Sequence, residues 1–510
     1  MIGCQNWERY QKRRTVSLSS LPVPILTIGI KGFFGAYSTK GGNRMNVKKL
    51  LVWVLCFTLL LSLPLFGKTV TLTLLQQDVS PHNEEDVAFM NYLTEGFKKA
   101  TGIDLKVEIV PIPAGNYAEK VTLLLAGGTY PDIIWWRDDA ELPYVDQGLL
   151  LDLSGRVNAS AVFQEKMPDW NKQRMANFPY LLWISPLQTR MAVVRKEWLE
   201  ESGINPVTVD DYYNLLKFFK QKSGKYGITV TNDLSRLNWI FDAAFGVNQM
   251  WIKDNNGKWV FSKMTQGEKD KLAFYAKLFK EGLLDQEFIT VGWQSMEDKF
   301  YSSQVGMLVA TAGTVMDLYQ KRFWDRGIET ELVPLYPPIG PSGKANFTAL
   351  NLDKEARGYS ITVTCKEPDI AFKFLEFMAT DEGQYLDRLG MPGREYNIVN
   401  GEIVKTERGE GWWPRFFEVP TWNAPVALYG KPGKASLEIA HALFEGDNYF
   451  LMPQRYATQW DAMNNLYKEY SIKIVTNQFP IEKFDEMVQL WYKAGGDLYT
   501  QLANEHFKNK

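Results

Sequence analysis

Two indole rings, a guanidinium and two carboxylates stand in a row at Trp135-Trp136-Arg137-Asp138-Asp139. If the apolar run Ile133-Ile134-Trp135-Trp136 is a strand, its side chains alternate between faces. One indole then enters the packing and the other turns toward the crevice beyond the strand's carboxyl end, where ligands of open α/β sheets bind; the alternative is that both are core. Asp138 and Asp139 at that exit can accept hydroxyl protons from a ligand, or cap a helix. Gln76, Gln77 and Asp78 close an earlier apolar run and can reach the same crevice. Arg190 offers either a donor to a ligand or an ion pair. Trp239 and Asp242, three apart, share a face if their segment is helical, with core packing of the indole as the alternative. In Gly411-Trp412-Trp413-Pro414-Arg415 the proline forbids a regular helix interior, so Trp412 and Trp413 sit on a loop, as a platform or as a cover for the core, with Arg415 beside them. Gly313, and Gly358 next to Tyr359, can admit close backbone approach to a ligand or serve turns. Flat rings among convergent donors and acceptors suit carbohydrates, which carry apolar C–H faces and polar hydroxyls. An aromatic content of 14% with 17 Trp exceeds what a plain core requires.

Covalent chemistry finds little support. His82, His441 and His506 are the only histidines and lie far apart, so no zinc helix and no multi-histidine metal site can form from neighbours. Neither a nucleophile-elbow motif nor a phosphate-binding glycine loop occurs. No metal or cofactor is expected. Glycosidases need only two carboxylates at suitable separation, so an exported polysaccharide-degrading enzyme is the alternative reading. Adjacent acids such as Glu84-Glu85-Asp86 and Asp210-Asp211 are expected on solvated faces or first helical turns. Asp254-Asn255-Asn256-Gly257 lacks the spacing of a calcium loop and reads as a hairpin turn.

The elements that must position these groups alternate. Residues 69–75 read as a strand, 86–100 as an amphipathic helix with Phe89, Leu93 and Phe97 inward, and 105–111 as the next strand. This is a βαβ pattern and predicts a parallel sheet. Asn116 with Glu119 is a capping-box-like start for a helix carrying Tyr117, Val121, Leu124 and Leu125, which Gly127-Gly128 ends. Further helices are expected at 210–222, at 266–281 and twice within 366–389, where Ala371, Phe374, Leu375 and Met378 form one stripe; a strand is expected at 360–364 and a hairpin at 251–261.

The run from Tyr117 through the Gly turn and Pro131-Asp132 to Trp136, then Tyr144-Val145-Asp146-Gln147-Gly148, resembles the signature of family 1 extracellular solute-binding proteins, the sugar-binding receptors of ABC importers. Ala192 to Gly203, with Arg195 where the family usually has Asn, is similar to its strand and helix; Glu281-Gly282-Leu283-Leu284-Asp285, and the segment ending Gly306-Met307, look like later features. Tyr396-Asn397-Ile398-Val399-Asn400-Gly401-Glu402 resembles a feature of a long subgroup associated with complex oligosaccharides. The resemblance covers nearly everything after residue 68. It implies two α/β lobes, each a mainly parallel sheet flanked by helices, joined by hinge segments near 180–190, 308–315 and 360–370, with closure on binding. The implied lobes are 68–183 with 312–363, and 184–311 with 364–510. The implied function is capture of an oligosaccharide in the interlobe cleft by a monomer, and delivery to permease subunits.

Residues 45–67 have the basic start and apolar stretch of a secretory signal peptide, with cleavage expected after Gly67, and residues 1–44 read as an over-extended gene start. Cys56 follows Leu55 rather than a small residue, which favours a soluble product, periplasmic or extracellular, over a lipoprotein. Removing residues 1–67 takes away nine Lys or Arg and one Glu, leaving 48 basic against 58 acidic residues and a net charge of −10. Such an acidic chain has no nucleic-acid footprint. Only Cys365 then remains, so stability must come from the core rather than from a disulfide.

Overall fold

The computed structural model describes residues 69–112, 117–137, 139–354 and 356–508; the leader, Cys56, Asn116 and Asp138 lie outside them. In chain order the elements that matter here are β1 (Val70–Leu75), α1 (Glu84–Thr101), β2 (Leu105–Ile109), α2 (Tyr117–Ala126), β3 (Ile133–Arg137), β4 (Arg190–Arg195), α3 (Ser235–Phe241), α4 (Gln266–Lys280), β5 (Met307–Thr311), α5 (Thr314–Trp324), β6 (Leu332–Pro334), β7 (Arg357–Ile361), α6 (Pro368–Ala379) and α7 (Asp381–Leu389). Local chemistry sets their ends. Asn83 accepts the backbone N–H groups of Glu85 and Asp86 to start α1, and Gly102, at φ 75°, closes it in the left-handed conformation that glycine tolerates.

The first lobe is built on the sheet β2-β1-β3-β7. β1 runs parallel to β2 and β3, as the βαβ pattern predicts, and β7 returns antiparallel on β3 with Trp135 opposite Tyr359 and Trp136 opposite Gly358. The second lobe departs from the parallel expectation. Its sheet β5-β4-β6 is antiparallel throughout, because β4 pairs Val193 with both Leu308 and Pro334 in that sense; parallel contacts occur as isolated bridges, from Ile228 to Leu284 and Met307 and from Thr208 to Ile339. The hairpin pairs Trp251 with Phe261, and Asp254 Oδ1 accepts the N–H groups of Asn256 and Lys258, so this acid serves a turn.

The expected lobe boundaries need correction. α5 and β6 fall within residues 312–363 yet belong to the second lobe, where Met316, Tyr319 and Phe323 share a core with Leu308 and Leu332. Conversely the stripe Ala371, Phe374, Leu375 and Met378 of α6 packs in the first lobe, with Phe374 edge-on to Phe97 of α1 at 5.7 Å. The chain therefore does not cross near 308–315 or 360–370. It crosses between Ile184 and Arg190, again between Leu350 and Arg357, and a third time near Leu428, since Phe416 to Trp422 stay with the first core while Ile439, Ala440, Met463, Trp491 and Tyr499 lie in second-lobe cores. The physical reason is that an apolar stripe specifies burial but not which core receives it.

Candidate functional site

The carboxyl ends of β1 and β3 open side by side. Both strands leave through an aspartate in the left-handed region, Asp78 and Asp139, each at φ 60°. Asp tolerates this conformation better than most residues, and such backbone clusters at functional sites. Gln77 accepts a hydrogen bond from Arg137 Nη1 at 2.8 Å across the two exits. Trp135 is half-buried, its ring edge-on to Tyr117 at 5.6 Å and to Trp183 at 6.5 Å, and Tyr117 donates its hydroxyl proton to the Trp135 carbonyl at 2.6 Å. Arg357 lies 5.4 Å from the Trp183 ring centre and donates to Gln188 Oε1 at 3.1 Å, joining the first lobe to the segment that enters the second.

Across that crossing, β4 starts at Arg190, whose guanidinium lies 5.8 Å from the Trp239 ring centre. On the same helix as Trp239, Arg236 lies 4.4 Å from the ring centre of Trp293 and donates to the Val309 carbonyl at 2.6 Å and to Thr231 Oγ1 at 3.3 Å. Burial lowers the Arg236 pKa to about 10, with the neighbouring charge of Arg190 adding to the shift. Two Arg-on-Trp pairs thus stand on the second lobe, while on the first the half-buried Trp135 and Arg357 pack on Trp183, which is buried in the core.

Residues 80–385 match the profile of the bacterial extracellular solute-binding proteins, well over half of this chain. The chain belongs to that family. Over 87% of its length this solute-binding protein is 22% identical to lipoprotein LipO of Bacillus subtilis (strain 168), covering 93% of that protein. It is 23% identical to the polygalacturonan/rhamnogalacturonan-binding protein YtcQ of the same organism, over 63% of this chain and 68% of that one. The solved N-glycan transport solute-binding protein NgtS from Streptococcus pneumoniae superimposes with a TM-score of 0.64 at 14% identity, over 87% of this chain and all of that one, which is a likeness of fold.

Several residues singled out in the sequence occupy other places in this solute-binding protein. Trp136 is completely buried and donates its Nε1–H to Ser360 Oγ at 2.6 Å, so it is the core member of the Trp135-Trp136 pair. Tyr359 is also fully buried, its hydroxyl donating to the Arg415 carbonyl at 2.6 Å, and buried Gln76 donates to that same carbonyl at 2.6 Å; both brace the 411–417 loop rather than present side chains to a ligand. Asp242 does share helical spacing with Trp239 but points into a buried charge cluster with Lys263, Lys271 and Glu268, because two ammonium groups draw it inward. Gly313, at φ 85°, donates its N–H to Ser436 Oγ at 2.9 Å and makes the turn into α5. Asp139 forms an ion pair with Lys354, which also holds buried Glu141 at 2.5 Å. Trp412 rests edge-on against Phe89 at 4.8 Å and donates to the Asp387 carbonyl at 2.6 Å, while another face borders a cavity of about 440 Å³ beside α5. Trp413 is exposed, and Arg415 lies 5.2 Å from the Trp412 ring centre with its guanidinium 3.6 Å from Asp86.

Of the predicted set, Gln77 and Trp135 thus stand at the strand exits of the first lobe, and Arg190 and Trp239 pair on the second. The structure adds Trp183, Gln188, Arg236, Trp293 and Arg357, which sequence reading missed. Arg236 and Trp239, three apart on one helix, were a usable signal; Trp183 and Trp293 stand in runs that read equally as core, and only the fold carries them to the crossing.

Proposed function

We propose that this solute-binding protein captures an oligosaccharide between its lobes and hands it, chemically unchanged, to the permease subunits of an ABC importer. One observation carries the reading: half-buried or exposed indoles stand on both lobes, Trp135 on one, and on the other Trp239 and Trp293, each of these two beside a guanidinium. Such alternation matches a sugar's apolar faces and hydroxyl edges, and more than one ring favours more than one sugar unit, each stack contributing about 1 kcal/mol beyond area burial. Relatives named for polygalacturonan, fructooligosaccharide and N-glycan ligands support the same class. Closure follows from tighter contact with the closed arrangement, since a ligand that holds both arrangements equally shifts nothing.

The protein acts as a monomer, exported through the leader at residues 45–67. Mass spectrometry of the secreted chain tests this: a start near residue 68 supports a freed product, whereas a lipid on Cys56, the fate that the LipO name indicates for that relative, makes it membrane-anchored. The central test follows thermal unfolding of residues 68–510 against an oligosaccharide panel, with each glycan checked afterwards. A saturating rise with the glycan intact is the expected result, because a ligand of the folded state stabilises by mass action. Cleaved glycan would make the protein an enzyme, and no rise with any sugar would remove the oligosaccharide reading.

A further inference from the structure

Four arginines stand in two pairs on either side of the first crossing. Arg137 ends β3 and Arg357 begins β7, directly opposite each other in the antiparallel register. Like charges so placed repel and weaken a sheet. Arg357 reaches Gln188, and two residues further along the chain Arg190 begins β4, over Trp239. Behind Arg190, and within reach of its charge, is Arg236.

Two of the four have no carboxylate partner among the described residues. Arg236, 4% exposed, donates to a carbonyl and a hydroxyl and is covered by Trp293. Arg357, half-buried, donates to the Gln188 amide oxygen and lies over Trp183. An acid that does stand at the β3 exit, Asp139, is engaged by Lys354 instead. Desolvating a guanidinium without a carboxylate is costly, and setting arginines beside one another adds to that cost. A chain whose mature form is acidic overall nevertheless gathers them here. Arginine presents a planar fork that matches a carboxylate with two parallel hydrogen bonds, so a sugar ring bearing both a carboxylate and an apolar face suits a guanidinium near a half-exposed indole, as Arg190 is to Trp239.

Resting on the oligosaccharide reading above, we infer that the ligand is an acidic oligosaccharide, a uronate-containing chain whose carboxylates are received by Arg357 and Arg190, with Arg236 behind them strengthening the positive field. Neutral sugars stack on the more exposed indoles but leave Arg357 and Arg236 without a carboxylate.

Calorimetric titration with short galacturonate and mannuronate oligomers, with the same oligomers after reduction of their carboxyl groups to alcohols, and with neutral xylan and glucan oligomers tests this. The expected result is that at least one acidic series binds about tenfold or more tighter than its reduced form, the size of a lost charge-assisted hydrogen bond. Arg357→Gln narrows that gap to near unity by lowering affinity for the acidic series far more than for the neutral one, while Arg357→Lys, which keeps the charge and loses the fork, falls between. Should Arg357→Gln fail to fold, Arg190→Gln reads out the same gap. Equal binding of acidic and reduced oligomers, or binding of neutral glycans alone, overturns the acidic assignment and leaves oligosaccharide capture standing. Binding of no glycan of either kind overturns both.

Discussion

Trp136→Phe separates a core indole from a ligand-binding one. The Trp136 ring is fully buried, tilted against Tyr144 with centres 5.4 Å apart, and its Nε1–H is bonded to the fully buried hydroxyl of Ser360. Truncation to alanine would cost about 3–5 kcal/mol. Phenylalanine keeps one six-membered ring, so the loss comes from a smaller void and from an orphaned Ser360 hydroxyl, worth about 1–3 kcal/mol for the latter alone. We expect a destabilisation of about 2–3 kcal/mol. Adding Ser360→Ala should recover about 1 kcal/mol, because removing both partners is cheaper than stranding one. Urea unfolding followed by circular dichroism reads the midpoint; the lobes can unfold separately, so the shift should appear in one transition. Glycan affinity by calorimetry should stay within about twofold, since no contact of this ring leaves the core. An unchanged midpoint with a tenfold loss of affinity would refute the burial argument and return Trp136 to the cleft.

Trp293→Ala, at a ring 46% exposed, should weaken glycan binding by about 1 kcal/mol or more while moving stability by less than about half that, and the reverse pattern would make it a structural cover for Arg236. Lys271→Met should destabilise the second lobe by about 3–5 kcal/mol, because Asp242 and Glu268 would share a buried site with Lys263 alone; a loss below about 1 kcal/mol would show that the network contributes little. Burial raises Asp387 from 3.8 to about 6, although its oxygens accept the N–H groups of Arg415 and Phe416. A raised folded pKa contributes stability below the unfolded value that is lost as pH rises through the folded one. The stability advantage of the native protein over Asp387→Asn should therefore shrink by about 3 kcal/mol between pH 3.8 and about 6, and an advantage that grows with pH would contradict the assignment.

Much was legible in the sequence because it is written locally. The β1-α1-β2 unit follows from its apolar period, and the 251–261 hairpin from its Asp-Asn-Asn-Gly turn, neither of which needs a distant partner. Family membership was legible for the same reason, since its motifs are contiguous. Alternation along β3 established that Trp135 and Trp136 face opposite ways. Which of them is buried was decided by β7, arriving from more than 200 residues away with Ser360 for Trp136 to bond. Trp239 and Asp242 were expected to share a helical face, but Asp242 caps the end of α3 and Lys263 and Lys271 draw its carboxylate into the core. Lobe assignment of residues 312–428 was likewise a tertiary outcome, because the stripes of α5 and α6 fit either core. The arginines are the clearest case: Arg137 and Arg190 drew notice singly, but only strand register sets Arg137 opposite Arg357 and only the fold brings Arg236 near Arg190, since Coulomb interactions depend on distance in space and not along the chain.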